Sequence, residues 1–215
     1  MKVYRFIFNS FQENTYILVD NTKTCAIVDP GNSSDDENNR IKSFITENGL
    51  SPKMILLTHG HFDHICGVNF FMDTFRLPLY AHPEAQKMIN SAPEYAQGYG
   101  IEISKPPVIG YHLSDKETIG IGNALFQVTH LPGHSEGSVI FYNEKNKMAI
   151  VGDVLFNGSI GRTDLPGGNL DDLLNGIHKK LLTLPEETQV FPGHGPETTI
   201  GIEIKTNPFL DNQVL

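Results

Sequence analysis

Basic residues are scarce in this chain: its 215 residues hold 16 Lys and Arg against 25 Asp and Glu, for a net charge of −9 with His neutral. A nucleic-acid partner needs a basic footprint, so none is expected. Cysteine is scarcer still. Cys25 and Cys66 fall in no CxxC or CxH spacing, so they make no disulfide framework and are read as two reduced thiols. Long apolar runs are missing. No stretch approaches the roughly 18 residues of a membrane span, and no membrane role is expected. The opening MKVYRFIFNSFQEN has neither a continuous apolar core nor a small-residue cleavage site. No export leader is therefore expected, and the cytoplasm is the expected compartment.

What remains is an ordinary globular composition, 39% hydrophobic and 19% charged, with enough length for a sizeable core. There is no low-complexity tract, tandem repeat or linker-like shift, so residues 1–215 are read as one domain. Apolar runs bounded by turn residues predict strands at 2–8, 14–20, 25–29, 54–58, 78–81, 117–119, 124–130, 138–142, 148–152 and 188–191. Helices are predicted from the acidic stretch 32–40 to Asn48, stopped by Gly49, and at 66–75, 83–91, 170–184 and 197–207. Residues 92–107 contain Pro93, Gly98, Gly100, Pro106 and Pro107 and are read as a loop or lid. Strands alternate with helices in both halves, which favours layered α/β with helices on both faces.

The densest chemistry is THGHFDH at 58–64, directly after the apolar run MILL. It therefore sits at the carboxyl end of a strand, where α/β folds place ligand sites. In extended backbone His59 and His61 point the same way and can share one cation, while Asp63 and His64 can face a second position. Burying that many polar groups costs free energy without partners, and a metal supplies them. Imidazole and carboxylate suit zinc, iron, manganese or cobalt. Three further strands end alike: LPGHS presents His134, VGDV presents Asp153, and FPGHG presents His194. Seven donors exceed the three or four protein ligands of one catalytic metal. They suggest two metals sharing one carboxylate.

The ordered set HxHxDH, then PGH, GD and GHG, spanning residues 59–194, resembles the metallo-β-lactamase superfamily. That resemblance implies an αββα sandwich of two pseudo-symmetric halves. It implies that His59, His61 and His134 hold one metal, that Asp63, His64 and His194 hold the other, and that Asp153 bridges them. VDPG at 28–31 matches an early family motif, so Asp29 is expected to support a ligand histidine from behind. Two divalent cations, zinc first with iron or manganese as alternatives, would share a water and convert it to a hydroxide nucleophile.

The stretch GSIGRTDLPGG at 158–168 is similar to that of short glyoxalase II-like hydrolases. This implies cleavage of a small-molecule thioester such as lactoylglutathione to a thiol and a 2-hydroxy acid. Asp63 would orient the water, and Arg162 would meet a substrate carboxylate or brace its loop against Asp164. The basic residues with which longer relatives bind glutathione have no counterpart after His194. GRTD also resembles the persulfide dioxygenase branch, which implies an alternative: one iron on His59, His134 and Asp153, with oxygen chemistry. Tyr95, Tyr99 and Phe156 are candidate cleft residues. His82, His112, His130 and His178 fall outside the strand-end pattern.

Overall fold

The computed structural model describes residues 1–210. The first half runs β1 (Lys2–Phe8), β2 (Glu13–Val19), β3 (Thr24–Val28), α1 (Asp35–Glu47), β4 (Ser51–Leu56), α2 (Val68–Phe75), β5 (Leu79–Ala81), α3 (Ala85–Gln97) and β6 (Tyr111–His112). The second runs β7 (Thr118–Ile121), β8 (Ala124–His130), β9 (Val139–Asn143), β10 (Met148–Gly152), β11 (Leu155–Phe156), β12 (Ser159–Ile160), α4 (Leu170–Gly176), β13 (Gln189–Pro192), β14 (Thr198–Thr199) and α5 (Ile200–Thr206). Strands β1 to β6 lie side by side in sequence order in one mixed sheet; the other has the order β14-β13-β10-β9-β8-β7, and β11 pairs with β12 alone.

Strand alternation stacks these elements into four layers. Every residue of β2 is buried, because both faces of its sheet are covered. Ile17 and Val19 point outward with Ile27 and Ile55 to meet Ile41 and Ile45 of α1, Phe71 of α2 and Ile89 of α3. Tyr16 and Leu18 point the other way and pack with Phe126, Val128, Phe141 and Ile150 of the second sheet. That sheet turns Tyr142, Ala149 and Val190 toward Leu173, Ile177 and Ile200. The result is the αββα metallo-β-lactamase fold.

The helix ends follow their caps. Ser34 accepts from Glu37 N to open α1, and Asn169 accepts from Asp172 N to open α4. The segment expected as one helix over 170–184 is α4 followed by a π-helical turn, Ile177–Leu181. Thr199 caps α5, so that helix begins at 200 rather than 197.

A further expectation is corrected. The loop assigned to 92–107 begins six residues later, because α3 continues through Pro93 to Gln97. Ala85, Ile89, Ala92 and Ala96 form a continuous buried stripe at helical spacing, and burying that face outweighs the backbone hydrogen bond that Pro93 cannot donate.

Strand direction decides which loops share an edge. β3 and β4 are parallel, β10 and β13 are parallel, and β8 runs with β10 because each is antiparallel to β9. The carboxyl ends of all five therefore reach one edge of the sandwich. Two backbone bonds cross between the sheets there: Val139 N donates to Thr58 O at 2.8 Å, and Asn14 N donates to Gly193 O at 2.7 Å.

Adjacent residues on β8 test the layer assignment. Phe126 is fully buried between the sheets, whereas Leu125 is 64% exposed. Phe126→Ala is expected to cost about 3–5 kcal/mol and Leu125→Ser no more than about 0.5 kcal/mol, both read from urea unfolding. Equal effects would mean the strand faces are reversed.

Candidate metal centre

The edge where the strands end gathers all seven donors. His59, His61, His134 and Asp153 offer ligand atoms lying within 4.8 Å of one another, and so do Asp63, His64 and His194. In the first group His59 Nε2, His61 Nδ1 and His134 Nε2 stand 3.0, 2.9 and 3.3 Å apart. In the second, His64 Nε2 and His194 Nε2 are 3.2 Å apart, with Asp63 Oδ2 3.3 Å from His194 Nε2 and 3.8 Å from His64 Nε2. A tetrahedral cation bonded to imidazole at about 2.0–2.1 Å requires nitrogens roughly 3.3 Å apart.

Asp153 lies between the groups. Its Oδ2 is 3.6 Å from both His134 Nε2 and His194 Nε2, and its Oδ1 is 3.5 Å from His64 Nε2. Oδ1 is buried with no hydrogen-bond partner among the described residues. A buried carboxylate oxygen left without a donor is costly unless a cation satisfies it. The donor set therefore fits a divalent metal site.

In the first group electrostatics point the same way. Burial, reinforced by neighbouring imidazoles, holds His59 well below its ordinary pKa and lowers His61 to about 3; burial lowers His134 too. Three neutral rings with their lone pairs turned inward are what a cation needs. Burial also disfavours charge on His64 and His194, but Asp153 and Asp63 outweigh it and raise both.

The outward nitrogen of four rings is held from behind. His59 Nδ1 meets Thr58 Oγ1 at 3.0 Å, and that hydroxyl donates to Asp29 Oδ2 at 2.6 Å. His64 Nδ1 meets the same Asp29 oxygen at 3.3 Å. His134 Nδ1 meets the carbonyl of Arg162 at 2.9 Å, and His194 Nδ1 that of Phe11 at 3.0 Å. Asp29 thus braces one histidine of each group. It does so from a left-handed backbone, φ 47°, which Asp adopts more readily than most residues.

Close approach demands glycine at two positions. A Cβ on Gly193 would fall 2.2 Å from Asp153 Oδ1, and one on Gly152 2.2 Å from Thr58 Oγ1. Gly152 also has φ 52°.

Two features escape the strand-end pattern. Glu13 is fully buried on β2, with Oε2 accepting from Thr15 Oγ1 at 2.8 Å and Oε1 3.9 Å from His64 Nδ1. Burial pushes its carboxyl up. Asn14 binds the carbonyls of Pro192 and Gly195 at 3.0 and 2.9 Å, and Tyr16 Oη donates to Pro192 O at 2.7 Å. The sequence ENTY at 13–16 thus fixes the loop carrying His194. Position was the available signal: a Glu-Asn pair opening an otherwise apolar strand.

A cleft of about 630 Å³ opens over His61, Asp63, His134, Asp153 and His194. Tyr95, Tyr99, Phe156 and Arg162 line it. The Arg162 guanidinium is exposed and engaged with Asp164 through two 2.8 Å bonds. A second hollow of about 700 Å³, bordered by Asp20, Asn123, Asn143 and Lys145, contains none of the seven donors. His82 and His130 stack on each other at 3.9 Å and belong to neither group.

This fold and donor set define a metal-binding member of a known superfamily. The sequence matches the Metallo-beta-lactamase superfamily over residues 9–194, and the chain belongs to it. It is 42% identical to the probable metallo-hydrolase YqgX of Bacillus subtilis, covering 98% of each chain, and 37% identical to the hydroxyacylglutathione hydrolase GloC of Haemophilus influenzae, covering 95% of each. Among solved structures it is similar to the B3 metallo-beta-lactamase BLEG-1 (TM-score 0.88, 40% identity, 97% of this chain and 99% of that one). TTHA1623 in a di-iron-bound form is equally similar (TM-score 0.87, 40% identity, 97% and 100%). No helix among the described residues is long and apolar enough to cross a membrane.

Asp29→Ala is expected to weaken metal binding about 10- to 100-fold, measured by competition with a chromophoric chelator. Asp153→Ala should abolish stoichiometric binding at both groups. Metal content unchanged in both variants would overturn the roles given to these carboxylates. Burial also pushes both thiols, Cys25 and Cys66, up to about 12. Since the thiolate is the reactive form, both should react with a disulfide reagent at pH 8 more than about a hundredfold slower in the native protein than in urea.

Proposed function

We propose that this protein is a metal-dependent hydrolase of the glyoxalase II-like kind, cleaving a thioester such as lactoylglutathione to a thiol and a 2-hydroxy acid. The observation that carries the reading is Asp153, a half-buried carboxylate whose buried Oδ1 is unpartnered among the described residues, with three imidazoles of both donor groups within 3.6 Å. His59, His61 and His134 would hold one divalent cation, Asp63, His64 and His194 a second, with Asp153 shared. Zinc suits these donors best, and iron or manganese suits them too. When bound, such a pair lowers the pKa of a shared water toward neutrality and polarises a carbonyl.

The chain's own residues supply the rest. Burial raises the Asp63 carboxyl, but His64 and His194 outweigh it and keep Asp63 ionised, so it can accept the hydrogen bond that orients an attacking water. The carbonyls of Arg162 and Phe11 lock the tautomers of His134 and His194. A thiolate leaves readily as an anion, so the reaction demands no strong proton donor in the cleft. The hydroxyacylglutathione hydrolase named among the relatives supports the thioester assignment. The di-iron form of a similar chain supports two cations.

The test is turnover of lactoylglutathione by metal-loaded protein, followed as loss of thioester absorbance with and without a chelator. Hydrolysis that stops with chelator and returns with added metal is the expected result. No hydrolysis of lactoylglutathione or of any other lactoyl thioester by protein with metal demonstrably bound would overturn the reading. Oxygen uptake with glutathione persulfide would then move the chain to the dioxygenase alternative, and opening of a chromogenic lactam would move it toward lactamase activity.

A further inference from the structure

The cleft walls are aromatic where they leave the donor groups. Phe11, Phe62 and Tyr99 form a closed trio: Phe11 meets Phe62 edge-on at 5.1 Å and Tyr99 at 5.0 Å, while Phe62 and Tyr99 stack at 5.3 Å with 18° between planes. The trio is tied to the centre at both ends. Phe62 sits between His61 and Asp63 in sequence, and the Phe11 carbonyl holds His194. Tyr99 nonetheless remains 61% exposed, an aromatic face lying open beside a polar centre. Phe156, which also lines the cleft, stands 6.4 Å from the His194 ring.

Charge complementary to a carboxylate is engaged elsewhere. Lys87 and Arg162 are the cations that reach the cleft. Lys87 lies 3.8 Å from Glu136, and Arg162 is held bidentately by Asp164. These exposed pairs are individually weak. With Lys87 facing Glu136 and two of the Arg162 N–H donors committed to Asp164, their pull on a dicarboxylate such as the glutathione tripeptide is reduced.

We propose that the cleft selects thioesters whose thiol carrier is uncharged and apolar or aromatic, in preference to glutathione; this rests on the protein being a thioesterase. The small hydroxyacyl group belongs at the donor groups with its carbonyl carbon. The larger carrier then lies against the aromatic lining, to which Phe11, Phe62 and Tyr99 contribute, and the volume of about 630 Å³ admits a drug-sized group. The reaction is a plain hydrolysis: water adds a C–O bond at the acyl carbon, the C–S bond breaks with its electron pair on sulfur, and water's protons end on the thiol and the acid. No oxidant or reductant takes part.

The experiment compares the lactoyl thioesters of benzyl mercaptan and of glutathione with the metal-loaded protein. The benzyl carrier should show a kcat/KM at least about tenfold higher, the difference lying in KM. Tyr99→Ala removes an exposed ring with little risk to the core and should shrink that ratio about fivefold, the scale of one aromatic contact. An equal or higher kcat/KM for the glutathione ester, or a ratio unchanged by Tyr99→Ala, would overturn the proposal. If neither ester is cleaved, the thioesterase reading fails on its own. The cleft is then judged by binding of the unreactive thioethers benzyl methyl sulfide and S-methylglutathione, measured by NMR shift perturbation. Tighter binding of S-methylglutathione would overturn the proposal, and tighter binding of the sulfide would support it.

Discussion

The centre depends on one buried carboxylate that stands behind two of its rings. Asp29 receives the backbone N–H of Thr58 at 2.7 Å and the Thr58 hydroxyl at 2.6 Å, and it lies 3.3 Å from His64. Through Thr58 it also orients His59. These three contacts set the angle at which the chain leaves β4, and that angle decides whether THGHFDH points its rings inward. Asp29 itself directly follows β3, the parallel neighbour of β4. The pairing of two strands is thereby converted into the direction of two imidazoles, one in each donor group. The left-handed backbone at Asp29 is a local strain of about 1–3 kcal/mol, held in place by the sheet on one side and the Thr58 bonds on the other.

The same economy appears across the sandwich. Each half supplies strand ends to a common edge, and the core between the sheets brings those edges together. Tyr16 packs edge-on against Phe191 at 5.7 Å and donates to the Pro192 carbonyl. One side chain thus fastens the apolar interface and the loop that carries His194. Packing and positioning are not separable there, because a shift of the second sheet against the first would displace three donors at once.

Much of this was legible in the sequence. Three of the ligand-bearing segments are an apolar run, a glycine, then His or Asp, and in the fourth, THGHFDH, one histidine stands on each side of the glycine. The sheet order follows from which runs are joined by hairpins and which by helices. What stayed hidden had physical reasons. The carbonyls of Phe11 and Arg162 hold two ligand rings, but a backbone acceptor leaves no mark on residue identity. Glu13 looks like a surface residue until the fold places it under His64. Pro93 signals a break, yet the stripe formed by Ala85, Ile89, Ala92 and Ala96 carries the helix past it. Arg162 stands in the cleft wall, but Asp164, two residues on, engages its charge in a way spacing alone leaves open.

The bond from His194 to the Phe11 carbonyl joins residues 183 positions apart, and this has a bearing on how the molecule comes to exist. Closing so long a loop is entropically among the most expensive steps available to the chain, and contacts of this separation are slow to form. A polypeptide emerging from the ribosome holds the complete first donor group once Asp153 is out. The second group waits for His194 and for the N-terminal strand to receive it. The last donor to be synthesised is thus steadied by a carbonyl made among the first.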